Sequence, residues 1–472
     1  MYGISFDSDS PLSQYRQLVD QLRKRIGDGS LAGGTRIAST RELAESLGIA
    51  RGIVLEALDQ LKMEGFLYTV HGAGTFVHPD LVWSGEPTFS SLASDHMHPD
   101  NNSDESGQSE PVSFAPGMPD MSLFPRRQWS RCYQHAIEYA SPEDLGYNPP
   151  AGRWDLRQAI ARHLLETKGI RTGPEHIVVT AGSSQAFAML AELFERPRIV
   201  MEDPQAPFMR RIFQGLGADI SYVPVDDEGI IPDRIPTAPC DLVYVTPNHQ
   251  FPVGGTLSAE RRIALLKRAR EIGAWVIEDD FDSEFRYEGH PVAPLQTLAS
   301  ERVVYVGTFS KTVSPAIRIG YAVLPPGLQA RFKTLKRRWD LWNEGLQQKA
   351  MARFISEGYL ERHLRHCFRT YRAKNEFLKA LVAERLAPDW SVIGATTGMH
   401  LVLRYSATTG DSPGDVTPIA ALLAKRDILI ESVAEYCRVN PDFRNCLIVA
   451  FANRTEWELE MFVDALSVAC KR

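Results

Sequence analysis

The stretch "GTFSKTVSPAIRIGY" (Gly307–Tyr321) carries a lysine, Lys311, between small hydroxyl residues, and an arginine, Arg318, seven positions later. The run "RVVYV" comes directly before it, and its β-branched and aromatic residues predict a short strand. A lysine amine can bond covalently to an aldehyde, whereas hydroxyl groups and an arginine fork suit a phosphate. The stretch therefore fits the binding of an aldehyde cofactor with a phosphate tail.

Similar strand-like runs recur upstream and end in polar residues: "HIVVTAG", "PRIVMED", "DLVYVTP" and "AWVIEDD". Helix-like segments such as "SSQAFAMLAELF" and "SAERRIALLKRAREIG" lie between them. Near-continuous apolar strands separated by helices predict a largely parallel sheet that is covered on both faces. Ligands of such α/β sheets bind where the strands end. We therefore expect the polar residues after these strands to lie close together.

Three of these strand ends predict a site for pyridoxal 5'-phosphate. Lys311 would form the covalent Schiff base, and Asp279 in "EDDFDSEFRY" would pair with the protonated ring nitrogen. Gly182 and the two serines after it would offer amides and hydroxyls to the phosphate at a strand-to-helix turn. The predicted cofactor-binding residues are Lys311, Asp279, Arg318, Ser310, Thr308, Ser183 and Ser184.

In this order, these motifs resemble the fold-type I pyridoxal-phosphate enzymes, the aspartate aminotransferase family, over residues 113–472. The pieces "GYNPPAGRWDLRQAIARHL" and "EDPQAP" match as well. The resemblance implies an α/β domain with a large cofactor part at about residues 150–335 and a smaller part from about residue 336 to the end. It also implies a head-to-tail homodimer with the active site at the dimer interface.

Several positions depart from what working aminotransferases commonly carry: Ala206, Phe251, Phe281 and Ile448. Those enzymes commonly have a tyrosine beside the cofactor at the position of Ala206, an asparagine at that of Phe251 and a carboxylate-clamping arginine at that of Ile448. Fused regulators often have a tyrosine at the position of Phe281. Arg404, Arg444 or Arg454 could replace the clamp, and the sequence selects none of them. We therefore expect imine formation at Lys311 without full transamination turnover.

The amino-terminal segment predicts a small α+β domain. Apolar residues at helical spacing over 12–27 indicate a first helix, and "STRELAESLG" and "ARGIVLEALDQLKMEGF" indicate two more, joined at Gly48. Ser39 and Glu42 form a capping box for the second helix. The run "GFLYTVHGAGTFV" predicts a β-hairpin wing. Together they predict a winged helix-turn-helix.

Residues Leu12–Val77 resemble the DNA-binding domain of GntR-type bacterial regulators, on the strength of "STRELAESLGIAR", "EALDQLKMEGF" and "HGAGTFV". The resemblance implies that Arg41 and Arg51 meet phosphates or base edges of double-stranded DNA. It places the wing tip, His71 and Gly72, in the minor groove. The alternative is that both arginines are solvated charges on helix surfaces.

Between these parts, residues 79–112 change in character: after Leu92 the sequence is almost free of large apolar residues and is rich in Ser, Asp, Asn and Gly. This composition predicts a flexible linker between a DNA-binding domain (1–78) and the aminotransferase-like domain (113–472). A single long surface loop is the alternative.

The composition indicates a cytoplasmic protein. The first thirty residues hold no long apolar run, and the six cysteines show no paired spacing typical of zinc sites. We expect reduced thiols and no membrane association. The net charge of −7 argues against indiscriminate nucleic-acid binding by the whole chain, but it leaves room for a local basic face.

The whole arrangement resembles the MocR/GabR subfamily of GntR regulators. That resemblance implies a transcriptional regulator whose aminotransferase-like domain senses an amine or amino-acid effector, or pyridoxal phosphate itself. The alternative is a catalytically active aminotransferase with an accessory DNA-binding domain.

Overall fold

The computed structural model describes residues 1–7, 10, 12–79, 111–290, 292–341, 343–406 and 414–470. The chain divides into two compact units, Met1–Gly107 and Gln108–Arg472. Nearly all of the predicted linker lies outside the described residues.

The first unit is a three-helix domain with a small antiparallel sheet. Its elements are α1 (Gln14–Gly27), β1 (Arg36–Ile37), α2 (Thr40–Leu47), α3 (Arg51–Met63), β2 (Leu67–Val70) and β3 (Gly74–Val77). The Ser39 side chain accepts from the Glu42 amide while the Glu42 carboxylate accepts from the Ser39 amide, as the capping box predicts. Gly48 ends α2 in the left-handed conformation, with φ of 65°. The helix-turn-helix and its hairpin wing are therefore present.

The second unit holds two sheets and a strand pair. Its strands are β4 (Val112–Ser113), β5 (Ile177–Thr180), β6 (Arg198–Asp203), β7 (Asp219–Asp226), β8 (Gly229–Ile230), β9 (Leu242–Val245), β10 (Trp275–Asp280), β11 (Val303–Thr308), β12 (Gly320–Val323), β13 (Trp390–Ile393), β14 (His400–Tyr405), β15 (Ile428–Leu429), β16 (Glu431–Ser432) and β17 (Cys446–Ala450).

The helices of this unit surround the sheets. They are α4 (Arg126–Glu138), α5 (Trp154–Lys168), α6 (Ser183–Glu192), α7 (Pro207–Gly215), α8 (Ala259–Glu271), α9 (Leu295–Leu298), α10 (Pro326–Asp340), α11 (Gly345–Ser356), α12 (Tyr359–Arg385), α13 (Thr417–Ala424) and α14 (Glu456–Ala469). Among the described helices of the chain, none combines the length and the apolar character that a membrane crossing requires.

The large sheet has the strand order β5-β12-β11-β10-β9-β6-β7-β8. Its central strands are parallel, as the alternation of strands and helices predicts. Strand β12 differs, because it runs antiparallel to both β11 and β5. Alternate residues of β10 face opposite sides: Val276 packs in one cluster with Leu265 of α8, and Ile277 in another with Leu190 of α6. The sheet is therefore covered on both faces.

The smaller part is built on an antiparallel sheet of order β13-β14-β17-β16. Its core includes residues of α12 and α14, such as Leu378 and Phe462. The predicted boundary near residue 336 falls inside α10, and Met351 of α11 packs in the same cluster as residues of α4 and α5. Helix α11 therefore packs with the larger part, and α12 contributes to both clusters, with Leu360 in one and Leu378 in the other.

Candidate functional site

All seven residues predicted from the strand ends line one cavity of about 260 Å³ in the second unit. Arg318 lies two residues before β12, and the other six lie at or after the carboxyl ends of β5, β10 and β11. These three strands run in the same direction, since β12 is antiparallel to both β5 and β11. Their carboxyl ends therefore meet at one edge of the sheet, where ligands of α/β folds bind.

Lys311 follows β11 in this cavity. Its Nζ donates a hydrogen bond to the carbonyl oxygen of Gly117, and a Cβ atom added at Gly117 would lie 3.3 Å from Nζ. Burial lowers the pKa of the Lys311 amine, and the carboxylates of Asp282 and Asp279 oppose that shift. A lower pKa leaves more of the amine in the neutral form, which is the form that attacks an aldehyde.

Asp279 lies in β10, and the hydroxyl of Tyr244 donates a 2.6 Å hydrogen bond to its Oδ2. Burial raises the pKa of the Asp279 carboxyl to about 7. The Tyr244 hydrogen bond opposes this increase, whereas nearby carboxyls, with Asp280 the strongest, add to it. Tyr244 was absent from the predicted site. Tyr244 lies inside the apolar run "LVYV". An aromatic residue in such a strand is typical of the hydrophobic core, so the sequence gives no reason to assign Tyr244 to the site.

A second part of the cavity lining, around Gly182, Ser183 and Arg318, forms a cradle that would suit an anion. Helix α6 begins at Ser183, directly after Gly182, so its first amides face the cavity edge. Arg318 donates through Nη2 to the carbonyl oxygen of Ala181 at 2.6 Å. A Cβ atom added at Gly182 would lie 3.1 Å from the Arg318 guanidinium, so a side chain there would crowd the cradle. Thr308 accepts from the Ser310 amide at 3.1 Å.

These residues fit pyridoxal phosphate. The cavity offers a buried amine for the aldehyde, a buried carboxyl for the ring nitrogen and a helix N-terminus with hydroxyls and a guanidinium for the phosphate. Three of the four positions that depart from the usual residues line the same cavity. Ala206, Phe251 and Phe281 line it, and the rings of Phe251 and Phe281 meet edge to face at 5.9 Å.

Ile448 is fully buried in β17 and is absent from the described lining, which includes Ala450 two residues later. Of the three possible replacement arginines, none lines the cavity, and Arg444 is exposed. Arg404 pairs with Asp227 at 2.7 Å, and Arg454 pairs with Glu458 at 3.0 Å. Among the described residues that line the cavity, Arg318 is the only arginine.

In the first unit, the predicted DNA-binding residues are exposed. Arg41 on α2 pairs with Glu45 at 3.1 Å, and its side chain is 80% exposed. Arg51 begins α3 and donates to Thr40 Oγ1 at 3.2 Å. His71 and Gly72 form the exposed turn between β2 and β3, with Gly72 at φ of 76°. These positions leave both alternatives for the arginines open.

Two family models match the chain. Bacterial regulatory proteins of the gntR family match residues 14–77, and aminotransferase class I and II matches residues 124–466. The chain also resembles solved aminotransferases in fold. A multiple substrate aminotransferase from Thermococcus profundus superimposes with a TM-score of 0.70 at 24% identity, over 77% of this chain and 92% of that one.

Curated relatives cover most of the chain. The probable rhizopine catabolism regulatory protein MocR of Rhizobium meliloti is 35% identical over 86% of this chain and 84% of its own length. The HTH-type pyridoxine biosynthesis transcriptional regulator PdxR of Corynebacterium glutamicum is 32% identical over 98% of each chain. The chain therefore belongs to the MocR-like transcriptional regulators of the gntR family, in which a winged helix-turn-helix precedes an aminotransferase class I and II domain.

Proposed function

We propose that this regulator binds pyridoxal phosphate covalently through Lys311 and that ligands of this site change its affinity for operator DNA. The proposal is carried by the convergence of seven residues, predicted from three separate strand ends, on one cavity. Their chemistry matches the aldehyde, ring nitrogen and phosphate of a single cofactor.

Three parts of the cavity lining would each hold a different group of the cofactor. Lys311 supplies the amine, Asp279 holds a proton at the ring nitrogen with Tyr244 as its hydrogen-bond donor, and Arg318 with the first turn of α6 holds the phosphate. When bound, pyridoxal phosphate supplies an aldehyde carbon that reacts with amines and a ring that withdraws electrons. Phe251 and Phe281 exclude water from the cavity wall.

On the DNA side, Arg51 and Arg41 would contact the duplex, and the wing tip at His71 and Gly72 would approach the minor groove. A homodimer would read two half-sites of double-stranded operator DNA. Regulation would then depend on a coupling free energy, by which ligand binding in the cavity changes the affinity of the DNA-binding unit for DNA.

The effector we propose is a small amine or pyridoxal phosphate itself. Arg318 would be committed to the phosphate, and it is the only arginine among the described lining residues of this chain. Arg404 and Arg454 are already ion-paired. Within this subunit, the described lining therefore offers no second guanidinium for an amino-acid carboxylate, which favours an effector without a carboxylate.

The first experiment is the absorbance spectrum of the purified full-length protein with pyridoxal phosphate, followed by borohydride reduction and peptide mapping. We expect a visible band and an adduct on Lys311. Lys311→Ala should abolish both, whereas Lys267→Ala, at an exposed lysine of α8, should keep them. An adduct that maps to another lysine would refute the assignment. Operator affinity should change between the loaded and the cofactor-free protein.

A further inference from the structure

A second group of polar side chains is buried beside the cofactor cavity. Asp282, His249 and His400 are 1%, 2% and 3% exposed. Asp282 and His400 line the cavity together with Lys311. They come from three places in the chain: the loop after β9, the loop after β10 and the first residue of β14. None of the cofactor contacts assigned above uses them.

The Asp282 carboxylate is held by fixed donors. His249 Nδ1 lies 2.8 Å from Oδ1 and 3.1 Å from Oδ2, and the Met399 amide donates to Oδ2 at 3.3 Å. Because the carboxylate offers only acceptors, His249 donates through Nδ1. The carboxylate is therefore oriented from two sides.

The backbone passes unusually close to this pair. Gly398 has φ of 88°, and a Cβ atom added there would lie 2.1 Å from His249 Cε1 and 2.4 Å from Asp282 Oδ2. Any side chain at position 398 would push the imidazole and the carboxylate apart. The chain therefore keeps a glycine where the His249–Asp282 contact needs one.

The neighbouring His400 adds no positive charge. Its Nε2 donates to the Pro252 carbonyl oxygen at 2.9 Å, and its ring centroid lies 4.7 Å from that of His249. Burial, with a contribution from His249, lowers the pKa of His400 to about 4, so its ring is neutral at neutral pH. His249 Nε2 is buried and has no hydrogen-bond partner among the described residues.

We propose that Asp282, oriented by His249, is a positioning residue that holds a proton on the Lys311 nitrogen after the cofactor is linked to it. The inference rests on the proposed covalent link to Lys311 and adds a residue that controls the charge of that link.

The charges around Lys311 support this role. Of the two carboxylates that favour its charged form, Asp282 acts more strongly than Asp279. Once the ring nitrogen engages Asp279, Asp282 remains as the counter-charge for the Lys311 nitrogen. Besides Lys311, the titratable groups that face Asp282 are His249, His400, Asp279 and the buried Tyr287 hydroxyl. A proton on the nitrogen makes the attached carbon more open to attack by an incoming amine.

The test is a pH titration of the visible band of the cofactor-loaded full-length protein. Asp282→Asn removes the negative charge and should lower the pH midpoint of the band by about one unit or more, as expected for loss of a neighbouring opposite charge. Glu278→Gln is the matched control, because Glu278 is a fully buried carboxyl of β10 that is absent from the described cavity lining and accepts from the Leu295 and Gln296 amides instead. Its midpoint should stay within about 0.3 unit of the wild type.

Two substitutions at His249 provide a second test that does not depend on the Asp282→Asn variant. His249→Leu removes the donor to Asp282 and should lower the midpoint, whereas His249→Asn keeps a donor near the Nδ1 position and should restore it. This pair decides the question if Asp282→Asn does not fold, as judged by circular dichroism. An unshifted midpoint in folded, loaded Asp282→Asn, or equal midpoints for the two His249 variants, would overturn the inference. A wild-type protein without any visible band would instead refute the proposed function.

Discussion

The hydroxyl of Tyr244 donates a 2.6 Å hydrogen bond to Oδ2 of Asp279, the carboxyl that we assign to the ring nitrogen. The Tyr244 ring is held between the edges of Phe187 and Phe213, at centroid distances of 5.4 and 5.8 Å. The donor therefore has a fixed position. It favours the ionised carboxylate at a place where burial alone would keep the carboxyl protonated.

Tyr244→Phe should weaken the binding of pyridoxal phosphate by about tenfold or more, because a hydrogen bond to a charged group contributes on the order of 1.5–3 kcal/mol. Without the hydroxyl, the pKa of Asp279 rises further and the ring nitrogen loses an ionised partner. The measurement is a fluorescence or absorbance titration of cofactor-free protein with pyridoxal phosphate.

The matched control is Tyr305→Phe. The Tyr305 hydroxyl also donates a 2.6 Å hydrogen bond to a buried aspartate, Asp280, which does not line the cavity. We expect this variant to lose stability but to keep its cofactor affinity within about twofold, that is, within about 0.4 kcal/mol. Equal losses of affinity in both variants would show that the effect is one of general packing.

The contrast between Asp279 and Tyr244 shows what the sequence can predict here. The sequence predicts that Asp279, Lys311 and Ser183 lie close together, because each lies near the end of a strand or at the start of a helix, and the ends of parallel strands meet at one edge. Tyr244 lies inside a strand, and its role depends on the register between β9 and β10, which pairs Tyr244 with Ile277. Such a register is set by tertiary packing and leaves no local pattern.

The sequence also does not predict the direction of β12 or the partners of Asp282, because both depend on tertiary packing. The run at Gly320–Val323 is typical of a buried strand in either direction. Asp282 stood in the quoted "EDDFDSEFRY", but its contact with His249 and the glycine at 398 depends on segments far apart in the chain. The ion pairs of Arg404 with Asp227 and of Arg454 with Glu458 likewise belong to the folded structure, and the sequence alone selects none of the possible clamps.

Glu202→Gln should change how the stability of the cofactor-free protein depends on pH. Burial raises the pKa of Glu202 from its ordinary value of 4.5 to about 7. A carboxyl with a raised pKa stabilises the folded state at low pH, and this contribution is lost as the pH rises from about 4.5 through about 7. The free energy of unfolding of the variant, relative to wild type, should therefore rise by up to about 1.4 kcal/mol per pH unit between about pH 5 and 7.

Urea denaturation of the larger unit's transition at three pH values measures this difference. Glu195→Gln, at an exposed carboxyl, is the control and should show no such trend. A difference between Glu202→Gln and wild type that stays flat, or falls as the pH rises, would contradict the raised pKa of Glu202.

Arg51→Ala should weaken DNA binding by about tenfold or more, since a base or phosphate contact of an arginine contributes on the order of 1–3 kcal/mol. Arg51 begins α3 and is exposed, whereas Lys62 lies near the other end of the same helix and pairs with Asp59 at 2.9 Å. Lys62→Ala should therefore change the affinity by less than about twofold.

The binding assay is fluorescence anisotropy with duplexes selected from a random pool by the full-length protein, repeated at several salt concentrations. Loss of a phosphate contact at Arg51 should also reduce the salt dependence of binding. Small and equal effects of the two variants would show that the start of α3 does not enter the DNA.

The protein loaded with the cofactor should exchange amines without completing cycles of transamination. Amines should exchange at the Lys311-linked cofactor, because exchange needs only access, the covalent link and a group that moves a proton. The later proton transfer at a substrate carbon needs a fixed substrate. Ile448, fully buried in β17, cannot clamp a carboxylate, and the Phe251 ring contacts Phe281 and His400 where the enzymes place a polar partner of the cofactor. We therefore expect an amine to shift the spectrum and alter DNA affinity while full cycles stay slow or absent.

Product measured after mixing the loaded protein with an amino donor and a 2-oxo acid should not exceed one equivalent per subunit, and Lys311→Ala gives the background. Accumulation well beyond one equivalent, at roughly one turnover per second or faster, would establish an enzyme of ordinary efficiency.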